Sequence, residues 1–157
     1  MKATIEYAEK MEALKGYLIE QECFTSDEVE DLKETLFESF EVCGREYAVF
    51  TDEEADFAAR SNILDSLWAF NPHFILRHTN FYSTSSVEED EAFEDALKEL
   101  QGRICEGANP IVRALIVNLD EFVNDAIQAD GRGHFIAQYG GEEIEIDGGK
   151  YYAYRMN

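Results

Sequence analysis

Positive charge is scarce in this 157-residue chain: 13 lysines and arginines face 34 aspartates and glutamates, giving a formal net charge of −21 at pH 7. An acidic surface of that size is repelled by phosphodiester strands and anionic lipid headgroups, which argues against direct binding to nucleic acid or membrane surfaces. Long apolar runs are also missing. No stretch approaches the roughly 20 residues that span a bilayer, and Met1-Lys2-Ala3-Thr4-Ile5-Glu6 lacks the apolar segment of a signal peptide. A cytoplasmic location is therefore expected. Cysteine is limited to Cys23, Cys43 and Cys105, odd in number and without a C-x-x-C pair. That excludes a disulfide framework and leaves reduced core or near-surface thiols. Histidine is equally sparse. His73 and His78 are five apart, a spacing that does not set two imidazoles on one helix face, and no H-E-x-x-H or EF-hand pattern occurs. Glu145-Ile146-Asp147-Gly148-Gly149 lacks alternating metal ligands and reads as a hairpin turn. No metal and no cofactor is expected.

What is present is enough for a core. Hydrophobic residues make up 45% and aromatics 13%, far above the composition of a disordered acidic tail. No repeat of 20–50 residues is visible, and the length suits a single domain over residues 1–157. Ile5, Ala8, Met11, Leu14 and Leu18 predict a first helix over about residues 3–20. Thr25 and Glu28 form a T-x-x-E capping box, after which Val29, Leu32, Leu36 and Phe40 mark the buried face of a second helix. Phe40 to Phe50 alternates around Cys43-Gly44 as a β-hairpin. A second capping box, Thr51 and Glu54, opens a third helix running to about Phe70.

Asn71-Pro72 places a capping residue before a first-turn proline and predicts a short helix to about His78. Thr79–Ser86 is the expected exposed loop. Phe93, Ala96, Leu97, Leu100 and Ile104 give another helix, closed at Gly107-Ala108-Asn109-Pro110. Ile111–Ile127 reads as one central helix, with Leu67, Trp68 and Phe70 packed near Leu119 and Phe122. Glycine-punctuated runs then predict three strands near His134–Gln138, Glu143–Ile146 and Tyr151–Arg155, joined as a meander. The sum is an α+β domain: amphipathic helices on a small antiparallel sheet made of one early hairpin and a C-terminal meander.

The strongest constellation is acidic. Asp27, Glu30, Asp31, Glu34, Glu38 and Glu41 recur at spacings of three and four, which puts them on one stripe of the second helix. Ser83–Glu106 repeats the pattern with Glu88, Glu89, Asp90, Glu91, Glu94 and Asp95. Carboxylates one helical turn apart recur every ~5–6 Å, comparable with the spacing of charges along a nucleic-acid strand. The plainer reading is a solvated face whose acids favour helix N-termini. The other distinctive stretch, Asp130-Gly131-Arg132-Gly133-His134-Phe135, offers an acid–base or anion-binding triad around two glycines. Its alternative is a helix cap at Gly131 followed by a strand, with Arg132 paired to nearby acids and Arg155 in a similar charge-balancing role. Tyr151-Tyr152-Ala153-Tyr154 reads as sheet packing.

Phe40–Tyr47 leading into Thr51–Asp56, then Ser66–Asn71, Asp130–Phe135 and the ending Tyr151–Asn157, resemble small acidic accessory proteins of bacteriophages and prophages. The resemblance implies a mobile-element origin and a bacterial host cytoplasm, and supplies no catalytic residues. Acidity with that origin is similar to counter-defence inhibitors, including anti-restriction and anti-CRISPR proteins. The expected function is thus a non-enzymatic inhibitor whose acidic surfaces imitate or displace nucleic acid on a basic host protein or ribonucleoprotein, such as a nuclease or CRISPR effector. The partner-binding residues are expected to be the two acidic rows, without Glu41. Alternatives are an acidic adaptor without mimicry, and a small enzyme or ligand binder using Arg132 and His134.

Overall fold

The computed structural model describes residues 2–35 and 39–157, with side chains from Ile5 onward. Its helices are α1 (Lys2–Glu20), α2 (Ser26–Glu30), α3 (Asp52–Asp65), α4 (Pro72–Arg77), α5 (Val87–Ile104), α6 (Asn109–Leu115), α7 (Leu119–Asp130) and α8 (Arg132–Ile136). The strands β1 (Lys33–Glu34), β2 (Phe40–Val42), β3 (Arg45–Phe50), β4 (Ile144–Ile146) and β5 (Tyr151–Arg155) form one antiparallel sheet in the order β1-β2-β3-β5-β4. The fold is α+β. The chain divides into two compact units, one of residues up to Ala59 together with Asp130–Asn157, the other of Arg60–Ala129.

The first unit holds the sheet. Val42 pairs with Arg45 across the two-residue turn Cys43-Gly44, whose φ values of 48° and 76° are those of a type I′ hairpin. Phe40, Val42, Tyr47, Val49, Tyr151, Ala153 and Ile146 share one sheet face and are buried with Leu14 and Leu18 of α1 and Val29 and Leu32. Tyr7, Met11 and Tyr17 complete the α1 contact. Ile5 and Ala8, expected on that face, are exposed, because Tyr7 and not Ile5 lies one turn before Met11 on the buried stripe. On the opposite sheet face, Ala48 and Tyr154 are buried and Phe50 lies 5.7 Å from the Tyr154 ring.

Two predicted elements of this unit also differ from expectation. The second helix ends at Glu30, after five residues, although its capping box forms as the sequence indicates: Thr25 N donates to Glu28 Oε2 at 2.8 Å and Glu28 N donates to Thr25 Oγ1 at 3.3 Å. Extending it to Glu41 would have stacked carboxylates one turn apart and brought acids to the negative helix end. The chain instead enters β1, where Lys33 sits directly across from Glu41 and Glu34 across from Phe40. Leu36 and Glu38 lie outside the described residues. The expected strand at His134–Gln138 is also absent, since residues 132–136 form α8, so the C-terminal sheet contribution is the β4–β5 hairpin. Gly131 turns the chain at φ 80°, and Gly133 allows a close approach to residues 141–143, where a Cβ would meet Glu143 N at 2.5 Å. Tertiary packing overrides the β-type composition of His134-Phe135-Ile136 there.

The second unit is helical. Ile63, Leu67, Ile75, Leu76, Leu97, Val112 and Phe122 are buried, and Phe122 meets the rings of Phe70, Phe74 and His78 at 4.9–5.0 Å. Asn71 caps α4 as expected, accepting from His73 N at 2.8 Å. The third helix stops at Asp65, and Leu67–Ala69 form a 3-10 turn. Polar clamps hold that turn: Asn109 Nδ2 donates to Leu64 O at 2.8 Å, its Oδ1 accepts from Trp68 N at 3.0 Å, and Gln101 Nε2 donates to Trp68 O at 2.7 Å. The expected single helix Ile111–Ile127 is broken into α6 and α7. Ile116 is extended and Asn118 Oδ1 accepts from Asp120 N and Glu121 N at 3.1 and 3.2 Å, starting a new helix. Phe122 is wholly buried, whereas Leu119, in the first turn of α7, is half-buried.

Candidate functional site

The acids of α5 fall into two groups. Ser86 caps the helix, donating through its backbone N to Glu89 Oε2 at 2.7 Å and accepting from Glu89 N at 3.3 Å. Asp90 accepts from the Ser85 hydroxyl, and Glu94 Oε1 meets His73 Nδ1 at 2.6 Å. Glu89, Asp90 and Glu94 therefore fasten α5 to the preceding loop and to α4. Glu88, Glu91 and Asp95 are exposed, lie one turn apart on the same stripe, and make no ion pair among the described residues. Half of this row is architecture and half is free surface.

The earlier row is reorganised by the strand. Asp27 and Glu30 project from α2, Asp31 is its C-cap and Glu34 lies on β1; all four are exposed. They no longer belong to one helical stripe. Glu34 faces Tyr7, whose phenol is pushed up to about 12 by burial and by that carboxylate. The first unit, with 22 acids and eight bases, carries a formal charge of −14, and the second, with 12 and five, carries −7.

One feature of the second unit has no sequence signature. The expected loop after α4 carries Phe81 and Tyr82, 39% and 44% exposed, followed by Val87 at 71%. Phe81 stacks on Phe93 of α5 at 5.4 Å, and Tyr82 stands edge-on to His73 at 6.3 Å. Thr84 N and Ser85 N both donate to Phe81 O at 3.1 Å, and the Ser83 hydroxyl donates to Asn80 O at the same distance. The aromatics are held in place yet keep open faces beside acidic α5.

Arg132 and His134 part company. Arg132, its side chain 12% exposed, grips Glu143 through Nε and Nη2 at 2.8 and 2.9 Å, while Nη1 donates to Asp52 and Asp56 at 2.7 and 2.9 Å. Its guanidinium lies 4.7 Å from the centre of the Tyr152 ring, and the Tyr154 hydroxyl donates to Glu143. The hydrogen bonds that Arg132 donates to Glu143 and the aspartates drive its pKa further up, and burial with the Glu143 contact raises that of Tyr154. Four of the five guanidinium N–H groups are spent on holding α8, α3 and the 141–143 segment together. His134 is exposed and touches the Phe135 ring edge-on at 4.9 Å. Arg155 departs from its expected role: it stacks on Tyr139 at 4.0 Å, donates to Asn157 O at 2.6 Å, and pairs with no acid among the described residues.

A cleft of about 340 Å³ in the second unit includes His78, Ser83, Asn118 and Asp125 in its lining. His78 Nε2 is 3.5 Å from Asp125 Oδ2, and burial lowers its pKa against the opposing pull of Asp125 and Glu121. Ser83 and Thr79, the two hydroxyls of the lining, direct their protons to Asn80 O and Leu76 O, so neither is paired with His78. Among the described residues, no group of three or more His, Cys, Asp or Glu is arranged to hold a metal ion, and no helix is long and apolar enough to cross a membrane. Cys23, Cys43 and Cys105 are free and exposed, not core thiols. Comparison with protein-family models, curated proteins and solved structures finds no match to this chain.

Proposed function

We propose that this chain is a non-enzymatic inhibitor that binds a basic nucleic-acid groove of a partner protein and keeps nucleic acid out of it. The observation that carries the reading is the exposed, unpaired stripe Glu88, Glu91 and Asp95 on an 18-residue helix whose start is fixed by a capping box. A rigid row of carboxylates about 5–6 Å apart presents a field that a groove built for phosphates recognises. The net charge of −21 steers encounter with a basic partner over a distance that salt shortens. Occupancy rather than catalysis suits Arg132, which spends four of its five donors internally. The resemblance to phage accessory proteins supports a counter-defence role, in which the proposed partner is a restriction nuclease or CRISPR effector of a bacterial host.

The test is capture of a partner from bacterial lysate at rising salt, followed by competition of the purified complex with DNA or guide RNA. Displacement by nucleic acid, together with loss of binding when Glu88, Glu91 and Asp95 are changed to Lys, is expected. That variant leaves the Glu89 cap and the Glu94–His73 contact in place, so a loss reads charge and not unfolding. Binding that ignores both nucleic acid and charge reversal identifies an adaptor instead. The acids of α5 committed to architecture are the observation that favours this second reading.

A further inference from the structure

We infer that the Phe81–Tyr82 loop, with the adjoining acidic turn of α5, is the contact centre for an arginine-bearing segment of the partner. The inference rests on the inhibitor reading and adds to it a place on the surface and a chemistry. An acidic stripe alone attracts any cation. The two open rings beside it distinguish arginine from lysine, because a planar, weakly hydrated guanidinium stacks on an aromatic face while its edge pairs with a carboxylate.

The chain uses this arrangement internally. Arg45 lies 5.2 Å from the Phe24 ring centre while pairing with Glu22 at 2.9 Å, and Arg132 lies 4.7 Å from Tyr152 while pairing with Glu143. At Phe81 and Tyr82 the rings stand beside an acidic helix, and no arginine stacks on them among the described residues. Phe81 is backed by Phe93, and Tyr82 by His73, which is itself held by Glu94. At 100° per residue Val87 and Glu91 lie about 20° and 60° to one side of Glu94, so Glu91 adjoins the Glu94–His73–Tyr82 side of the loop and leads into the Glu88–Asp95 stripe. Backbone bonds to Phe81 O, the Ser83 and Thr84 hydroxyl bonds to backbone carbonyls and the Ser85 hydroxyl bond to Asp90 fix the loop beforehand. Little ordering entropy remains to oppose binding. Half-exposed aromatics on one side of an acidic helix suit the anchor of an interface whose rim is complementary to a basic surface.

The experiment measures binding of the full chain to two fluorescent peptides, one alternating arginine with serine and the other lysine with serine. The arginine peptide is expected to bind about three- to tenfold tighter, the range of a partly desolvated cation–π contact. Tyr82→Leu with Phe81→Leu, which keeps apolar bulk and removes the π faces, is expected to abolish that preference while leaving lysine-peptide affinity unchanged. Glu91→Lys is expected to weaken both peptides. Equal affinity for the two peptides, or a preference that survives the double leucine variant, overturns the contact centre. If in that case both peptides still bind and are lost on reversal of Glu88, Glu91 and Asp95, the inhibitor reading stands without it. Failure of both peptides to bind at low salt overturns the contact centre and removes the charge-driven reading with it.

Discussion

Replacing Gly133 by alanine adds one methyl group where the backbone leaves no room. Its Cβ would lie 2.5 Å from Glu143 N and 2.6 Å from both Glu142 C and Gly141 O, whereas ordinary contact begins near 3.4 Å. Every obstructing atom is main chain, so no rotamer change relieves the clash, and α8 and the 141–143 segment must separate by about 1 Å. That movement draws Glu143 away from its two bonds to Arg132 and its bond from Tyr154. Overpacking costs about 1–3 kcal/mol, and weakening the charge-assisted contacts brings the expected loss to about 2–4 kcal/mol. The assay is urea unfolding followed by tyrosine near-ultraviolet circular dichroism, with exchange of the Val49 and Ala153 amides reporting the first unit. The midpoint should fall by about 1–2 M. Gly16→Ala is the control: it adds the same methyl in α1 with nothing within 4 Å, and should stabilise by about 0.5–1 kcal/mol. A Gly133→Ala protein within 0.5 kcal/mol of wild type would refute the close approach on which the Arg132 site depends.

Phe122→Ala should destabilise the second unit by about 3–5 kcal/mol, since the side chain is fully buried among Phe70, Phe74 and His78. Leu119→Ala should cost distinctly less, and Trp68 fluorescence during denaturation ranks the two. His78 gives a pH dependence. Burial holds its folded pKa below the ordinary value of 6.5, so its contribution to stability is complete above that value and is lost as pH falls through the folded pKa. His78→Gln should flatten that part of the stability profile relative to wild type, and an unchanged slope would contradict the burial.

Legibility of the fold depended on whether the deciding forces were local. The Cys43-Gly44 turn and the Asn71-Pro72 helix start were readable because each depends on a dihedral or a cap fixed within a few residues. The truncation of α2 was not: Val29, Leu32 and Phe40 fit a helical face, and the competing β1–β2 pairing becomes visible only when Lys33 meets Glu41. The break before α7 carried a local signal in Asn118, but the surrounding apolar residues concealed it by suiting either one helix or two. At the candidate site, the sequence exposed the acidic residues without dividing the caps, such as Glu89, from the free stripe. Arg132 reaches Asp52 across 80 positions, and no spacing rule anticipates that pairing. The open faces of Phe81 and Tyr82 likewise follow from contacts with Phe93 and His73 that are made only in the folded unit.

An exposed acidic surface seated in a groove made for nucleic acid must respond to salt and to charge reversal. The affinity for the captured partner is therefore measured across a salt series, with wild type beside the Lys variants of Glu88, Glu91 and Asp95 and of Asp27, Glu30 and Asp31. Binding should weaken steeply as the screening length shrinks from about 10 Å at 0.1 M salt. At least one reversal set should lower affinity and flatten the salt slope, and DNA or guide RNA should compete. Affinity independent of salt and unchanged in both correctly folded variants would contradict the claim.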